Sequence, residues 1–546
     1  MLRRFSRFIG WFSNWKRYCA LLTLLFIVRG VFVLSVLPPY EGWDEYQHVA
    51  YIEFLLENGR SPVLHKDSNI PKSFYADLVK YPHAELALDQ IRAIGAMSYD
   101  DFWAAEQTPG VRPNAPDRHL YQAQHSSFYY QLVAPLYRLL SRHGGILAAV
   151  TGLRFLNLLF GAAAIYIALW SIGRLVRTGS HRYLMGLLIA LQPLFLVNCT
   201  RVANDAIALL LGTVAVSWLL MMSPRRYLIA ALGAGAALGL GVLGKTINLG
   251  LIPFSVMVFI SLAWQKRIKV GQAAVGIAVL LFSVTAITFH YFSFNLREFG
   301  LLTPMQEAVK NRAKGKTFSD SVAAAKEVNW GHEIGRRYLR HSLWCSGWSW
   351  HTAPGILKRV HEYLIYASAI GACFFLSRRA RERRWLFAQR GTAVRIFMLW
   401  AGMTAGLCYH MLHTSMALPN VATNIWYAAV AFPWLLCLLY QGFAGFPRPW
   451  ITAFFAIQML IVFLKAELYG VLFLMVPTYT SGSSWDATTW QRLSKLHVPG
   501  LGPEMTFPAL AFLLVLVAMA ITVWVKWIPP QGRTAAADAS DSQRDE

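Results

Sequence analysis

Apolar runs of membrane-spanning length constrain this chain more than any other feature. Twelve stand out, at 18–37, 147–173, 183–200, 206–222, 227–244, 247–263, 270–291, 363–377, 394–412, 424–440, 449–467 and 507–527. A bilayer core takes roughly 20 residues of helix to cross. Within it, only segments that close their own backbone hydrogen bonds persist. The expected fold is therefore an all-α polytopic membrane protein. Composition agrees, since 56% of the 546 residues are hydrophobic and only 14% are charged. Soluble domains carry about a quarter charged residues.

A net charge of +23 would suggest a nucleic-acid partner in a soluble protein. Here the Lys and Arg residues gather in short loops. Arg3, Arg4, Arg7, Lys16 and Arg17 precede the first run. Arg174, Arg177 and Arg182, then Arg225 and Arg226, then Lys266, Arg267 and Lys269, follow later ones. Residues 378–384 form the richest basic loop, and Lys526 ends the last run. Such loops are cytoplasmic by the positive-inside rule, so no nucleic acid is implied. Twelve spans then place both termini in the cytoplasm and two long loops, 38–145 and 292–362, outside. The first loop is expected to carry interfacial helices near 46–57, 73–94 and 126–140. The last of these has Phe128, Leu132, Leu136 and Leu139 at helical spacing, which suits a helix lying on the membrane. The chain divides into a cytoplasmic N-terminus (1–17), a transmembrane module (18–440), C-terminal spans with an outer loop (441–529) and a disordered tail (530–546). Arg29 interrupts the first run, either as a functional group or as a partner for a neighbouring helix. The six cysteines are scattered without a CxxC. Whether Cys199 and Cys345 pair stays open.

Candidate chemistry begins where the first run ends. Pro38 and Pro39 cannot continue a helix, so the chain leaves the membrane there. Asp44 and Glu45 follow within six residues. An extended chain covers about 3.3 Å per residue, so both carboxylates stay within about 20 Å of the helix end. A lipid-linked substrate keeps its head group at that level. Two readings are open here: a solvated pair capping the helix that starts near Tyr46, or carboxylates aimed at a substrate. Other polar clusters share the outer side. They are the segment from His119 to His125, the Trp344, Trp348, Trp350 and His351 group, and the turn holding Arg201, Asn204 and Asp205. The tryptophans form either an interfacial belt or a platform for a sugar face or lipid tail. Asn204 and Asp205 either cap the next span or contact substrate.

One match is a decoy. Residues 239–246, ending in Gly244, Lys245 and Thr246, fit the phosphate-loop pattern GxxxxGK[ST]. That loop requires a preceding strand and a following helix in a soluble sheet, whereas these glycines lie in an apolar run. Gly235 and Gly239 instead form a small-xxx-small face for helix packing. Lys245 becomes a cation at the outer membrane edge with no role for ATP.

The order of these motifs carries a family resemblance. Trp43, Asp44, Glu45 and His48 after the first span resemble the Asp-Glu motif of the GT-C glycosyltransferases. That group includes the protein O-mannosyltransferases, the lipid A aminoarabinose transferases and related bacterial enzymes. The segment from Tyr121 to Tyr130 looks like their His-Pro-Pro-Leu-Tyr-Tyr stretch. Arg154 to Asn157 resembles the arginine-led start of their second span. Lys245 falls where they carry a lysine after the fifth span. The segment from Trp426 to Pro433 resembles their late Arg-Tyr segment. The resemblance runs from the N-terminus to about residue 440. Ser126 and Ser127 replace the usual prolines, and Trp426 stands where arginine is common, which leaves the donor open.

The resemblance implies a GT-C-like fold of about twelve transmembrane helices, with long extracytoplasmic loops carrying interfacial helices. It implies a multi-pass protein of the bacterial inner membrane with its active site on the outer side. The expected reaction is hexosyl or pentosyl transfer from a polyprenyl-phosphate donor to a glycan, lipid or protein acceptor, with membrane lipids as surroundings. Phosphate leaves readily, whereas an acceptor hydroxyl needs a base. Asp44 is expected to be that base and to invert the anomeric centre, with Glu45 orienting the acceptor or a metal. The enzyme either works without metal or holds a divalent ion, Mg or Mn, on Asp44 and Glu45. Arg201 and Lys245 are expected beside the leaving phosphate. His48, Tyr51, His125, Tyr129, Asn204, Asp205, Trp348 and Tyr427 are expected to contact substrate. Two other classes compete. A lipid or sugar transporter or flippase should show paired repeats and broken mid-membrane helices. A surface-polysaccharide polymerase or ligase should carry its large catalytic loop late in the chain.

Overall fold

The computed structural model describes residues 10–67, 69–105, 109–177, 179–343, 353–378, 386–389, 391–417, 425–482 and 485–526. Among these residues helices dominate, and pairing between extended segments is limited to the isolated bridges Asn69–His119 and Val176–Phe387. Among the described residues, ten helices are long and apolar enough to cross a membrane: Trp15–Leu34, Phe128–Leu175, Pro224–Gly244, Thr246–Trp264, Val270–Phe299, Gly355–Ser377, Gly391–Ala417, Ile425–Phe443, Pro449–Thr480 and Pro503–Lys526. The protein is an all-α polytopic integral membrane protein.

Two expected spans are shorter than their apolar runs. The run at 183–200 breaks into Ser180–Leu191 and Pro193–Val197. Pro193 cannot donate to the preceding turn, and the Gln192 side chain accepts from the Phe195 N–H at 2.8 Å to start the second piece. The run at 206–222 forms Asp205–Leu220, with 16 residues, about 24 Å of helix at 1.5 Å per residue. Residues Tyr183 to Leu191 and Pro193 to Val197 are all buried. Their apolar character serves protein packing on every side, which explains why a hydropathy pattern extends them.

The expected interfacial helices are present in altered form. Glu45–Asn58 is continuous. The 73–94 segment splits into Lys72–Leu78, Glu85–Ile91 and a 3-10 turn, Arg92–Ile94. The third runs directly into the next span as Phe128–Leu175, interrupted at Gly145 with φ 72° and ψ −178°. That backbone region is essentially restricted to glycine, so Gly145 marks where the chain changes course from the interfacial helix to the span.

Two buried contacts settle open readings. Arg29 bonds Glu467 on Pro449–Tyr469 and the carbonyl of Ala190, so it pairs with neighbouring helices. Gly235 and Gly239 face Val270–Phe299. A Cβ at Gly235 would lie 2.8 Å from the Leu280 carbonyl oxygen, and one at Gly239 would lie 3.0 Å from Ile287 Cβ. The phosphate-loop match is a helix-packing surface. Cys199 is a buried free thiol. Cys345, Trp348, most of the basic loop after Arg378 and the tail from 530 lie outside the described residues. The segment after Phe299 meets both the first long loop and the helix Gly391–Ala417. The Gln306 N–H donates to Gln124 Oε1 at 2.9 Å, and Asn311 donates to the His413 carbonyl at 2.9 Å.

Candidate active site

After the prolines, Tyr40 and Asp44 both adopt left-handed backbone, at φ 65° and 59°. Asp tolerates this region better than most residues. In this pose Asp44 precedes Glu45–Asn58 but makes no side-chain capping bond to it. Its carboxylate instead accepts from the Tyr121 hydroxyl at 2.5 Å. The capping reading left open by the sequence therefore does not hold. Burial raises the Asp44 carboxyl above its ordinary range, opposed by the Tyr121 hydrogen bond and by the Arg201 and Lys245 charges.

Glu45 turns the opposite way. Its Oε1 accepts from Arg154 Nε at 2.8 Å and from the Val202 N–H at 2.7 Å, and its Oε2 accepts from Arg154 at 2.5 Å. Arg154 also donates to the Leu37 and Pro38 carbonyls, both at 2.6 Å. Those carbonyls lie past the end of the first helix and need donors. Glu45 thus anchors the loop that presents Asp44. Its oxygens meet Arg154 and a backbone N–H here, where the sequence reading expected an acceptor or a metal. The two carboxylates have different partners: Asp44 accepts from Tyr121, and both Glu45 oxygens accept from Arg154. Among the described residues, no group of three or more His, Cys, Asp or Glu side chains could hold a metal ion.

Two cations gather at a second point. Arg201 donates to Asp205 Oδ2 at 3.0 Å and to the Trp43 carbonyl at 2.9 Å, while its buried Nε has no partner. Lys245 donates to Asp205 Oδ1 at 2.6 Å, with its ammonium 4.7 Å from the centre of the Tyr427 ring. Asn204 donates to the Gly244 carbonyl at 2.8 Å and so ties the start of Asp205–Leu220 to the end of Pro224–Gly244. This brings Lys245 to Asp205. One carboxylate shared by two cations leaves a net positive site suited to an anion.

The carboxylate and the cations line a single cavity of about 540 Å³. Of the expected site residues, Asp44, His48, His125, Arg201, Asp205, Lys245 and Tyr427 reach its wall. His48 bonds the Tyr130 hydroxyl through Nδ1 at 2.8 Å. Burial lowers His48 well below its usual pKa and brings His125 down to about 3. Both are neutral at pH 7, so the positive charge on the wall comes from Arg201 and Lys245.

No protein-family model matches this chain, and no curated protein sequence matches it. Solved structures do. ArnT from Cupriavidus metallidurans bound to undecaprenyl phosphate is similar over 93% of this chain and 77% of its own, at 13% identity and a TM-score of 0.40. Its apo form is similar over 91% and 73%, at 14% identity and a TM-score of 0.39.

The remaining expected residues among the described ones, Glu45, Tyr51, Tyr129 and Asn204, sit off this cavity. Tyr51 stacks on Tyr130 with ring centres 3.7 Å apart, and lines an adjoining cavity of about 390 Å³. Tyr129 is buried and accepts from Asn157 Nδ2 at 3.0 Å. Asn204 bonds the Gly244 carbonyl and Glu45 bonds Arg154. The sequence reading missed Tyr121, Gln122 and His410 as individual cavity residues. The first two lie inside the segment that carried the family resemblance. His410 sits in an apolar run where nothing local marks it. Trp426 meets Trp43 edge-on at 5.1 Å and lies under Arg201 at 5.9 Å, so it joins the two ends of the wall.

Proposed function

We propose that the chain is a membrane glycosyltransferase. It moves a sugar from a polyprenyl-phosphate donor to an acceptor hydroxyl on the extracytoplasmic side, with inversion. The observation that carries this reading is one cavity walled by a half-buried carboxylate held by Tyr121 and by two cations sharing a single acid. The acceptor oxygen attacks the anomeric carbon as the bond from that carbon to the phosphate oxygen breaks. Asp44 takes the acceptor proton. The departing oxygen keeps the electron pair, and the lipid phosphate that forms gains negative charge opposite Lys245 and Arg201. Tyr121 fixes the Asp44 carboxylate, and Glu45 with Arg154 fixes the loop beneath it. The Trp43 and Trp426 rings offer a face for the sugar.

Binding of undecaprenyl phosphate and of undecaprenol, which lacks the phosphate, to the purified protein tests the anion site. The phosphate form should bind tighter. Lys245→Ala should weaken it by about tenfold or more, the value of one charge-assisted contact, and leave undecaprenol unchanged. Equal affinity for both lipids in the unaltered protein would contradict the reading.

A further inference from the structure

Two guanidiniums outside the cavity meet on a neutral acceptor. Arg267 Nη1 donates to Gln389 Oε1 at 2.5 Å, and Arg395 Nη2 donates to the same oxygen at 3.2 Å. The other bonds of Arg395 stay within the start of its own helix, from Nη2 to Thr392 Oγ1 and from Nε to the Gly391 carbonyl, both at 3.3 Å. Its Nη1 has no partner. Guanidinium–carboxylate bonds run at about 2.7–2.9 Å. The Arg395 bonds are longer, and all end on neutral oxygens. Among the described residues, neither guanidinium has a carboxylate partner. Arg395 is 1% exposed, and a buried charge ordinarily has a partner of opposite sign. It also lies near the start of Gly391–Ala417, whose first turn holds no acid, where the helix dipole disfavours a cation and favours an anion. Gln389 Oε1 thus occupies the position of an anionic oxygen between two arginines. Gln389 is exposed and Arg267 half-buried, so the position is reached from the surface once that amide swings aside. We propose that it binds a phosphate group, carried by an anionic membrane lipid or free in solution.

The place of the site favours a lipid. Thr246–Trp264 and Gly391–Ala417 are both long and apolar enough to cross a membrane. Gln265, just past the first, packs against Gly391 at the start of the second, so the two span ends meet at one membrane surface. Trp264 is 87% exposed there, as in an aromatic belt at headgroup level. Lys266 and Lys269 flank Arg267 in the same turn and are exposed, so they add charge around the entrance. Basic pockets between span ends hold lipid phosphates, and the arginine fork matches phosphate oxygens in geometry as well as charge. Neither arginine lines the cavity that holds Asp44, so this site stands apart from the glycosyl-transfer reading.

The test measures dissociation constants for the purified, delipidated full-length protein in detergent. The probes are phosphatidylglycerol, phosphatidylcholine, whose choline neutralises its phosphate, and inorganic phosphate. Phosphatidylglycerol should bind about tenfold or more tighter than phosphatidylcholine, the value of one charge-assisted contact. Arg267→Gln, at a half-buried position, should erase that preference. Gln389→Glu should erase it too, because its own carboxylate fills the position, and should raise the melting temperature of the lipid-free protein by giving both guanidiniums an acid. Gln389→Ala, which removes only the amide, should keep the preference. Melting temperature also serves as the folding check. Saturable binding of inorganic phosphate that Arg267→Gln and Gln389→Glu both lose supports the site with a soluble anion as its ligand. The proposal is overturned if the unaltered protein shows neither the lipid preference nor phosphate binding, or if whichever it shows survives in folded Arg267→Gln and Gln389→Glu. A Gln389→Glu protein that melts lower than the unaltered one also overturns it, since the two arginines would then have no place for an acid.

Discussion

Asp44 and Glu45 are neighbours in sequence with opposite environments. Asp44 sits in left-handed backbone, bonded to Tyr121 at the cavity wall. Glu45 is 0% exposed and bonded to Arg154, 109 residues along the chain. Glu45→Ala would leave the Arg154 guanidinium buried without its acid. Removing one partner of a buried pair costs roughly 3–5 kcal/mol, so the melting temperature should drop sharply. Asp44→Asn should change stability by no more than about 1 kcal/mol, because it keeps its size and still accepts from Tyr121. Thermal melts of the two variants side by side check this. A mild Glu45→Ala and a severe Asp44→Asn would reverse the assignment. The sequence located this acidic pair by its distance from Pro38 and Pro39, but it could not separate the two roles. The deciding partners, Arg154 and Tyr121, come from distant segments. Arg201 and Lys245 were legible as outer-edge cations; that Asp205 joins them was not.

At the level of elements, special backbone chemistry decides where helices stop. The proline exit at Pro38 and the Glu45–Asn58 helix were legible because proline and helical spacing act locally. The division of 183–200 was not legible from hydropathy, since a fully buried inner segment and a membrane span are equally apolar. Gly145 joins the interfacial helix to the span in a conformation that costs other residues about 1–3 kcal/mol. Gly145→Val should therefore lower the melting temperature. The same change at exposed Gly271, whose Cβ would meet no neighbour within 4 Å, should leave stability unchanged or raise it by the small helix-propensity difference, under about 1 kcal/mol, since Val is a better helix former than Gly. Equal effects at the two positions would show that the backbone at Gly145 is not strained by a side chain.

Across the whole molecule, the site forms where the first outer loop, the turn at Arg201, the end of Pro224–Gly244 and the second outer loop meet. We propose that the cavity lies on the face away from the cytoplasm, because the basic loops lie between other helix ends. Reporter fusions after His143 should read outside, and fusions after Arg226 should read inside. An inside signal after His143 would move the cavity to the cytoplasmic face and remove its access to an outer-leaflet donor.

The central claim is that Asp44 is the general base, and the rate of Asp44→Asn tests it most directly. Product formation is followed against pH with polyprenyl-phosphate sugar and acceptor, using protein shown to be folded by its melt. In the unaltered enzyme, Asp44 must lose its proton to act. Because burial raises its pKa, the rate should climb with pH through a midpoint above the ordinary aspartate value of about 3.9 and then level off. Asp44→Asn should be slower by about a hundred- to ten-thousand-fold and should lack that climb. A folded Asp44→Asn enzyme with full activity and the same pH profile would contradict the account.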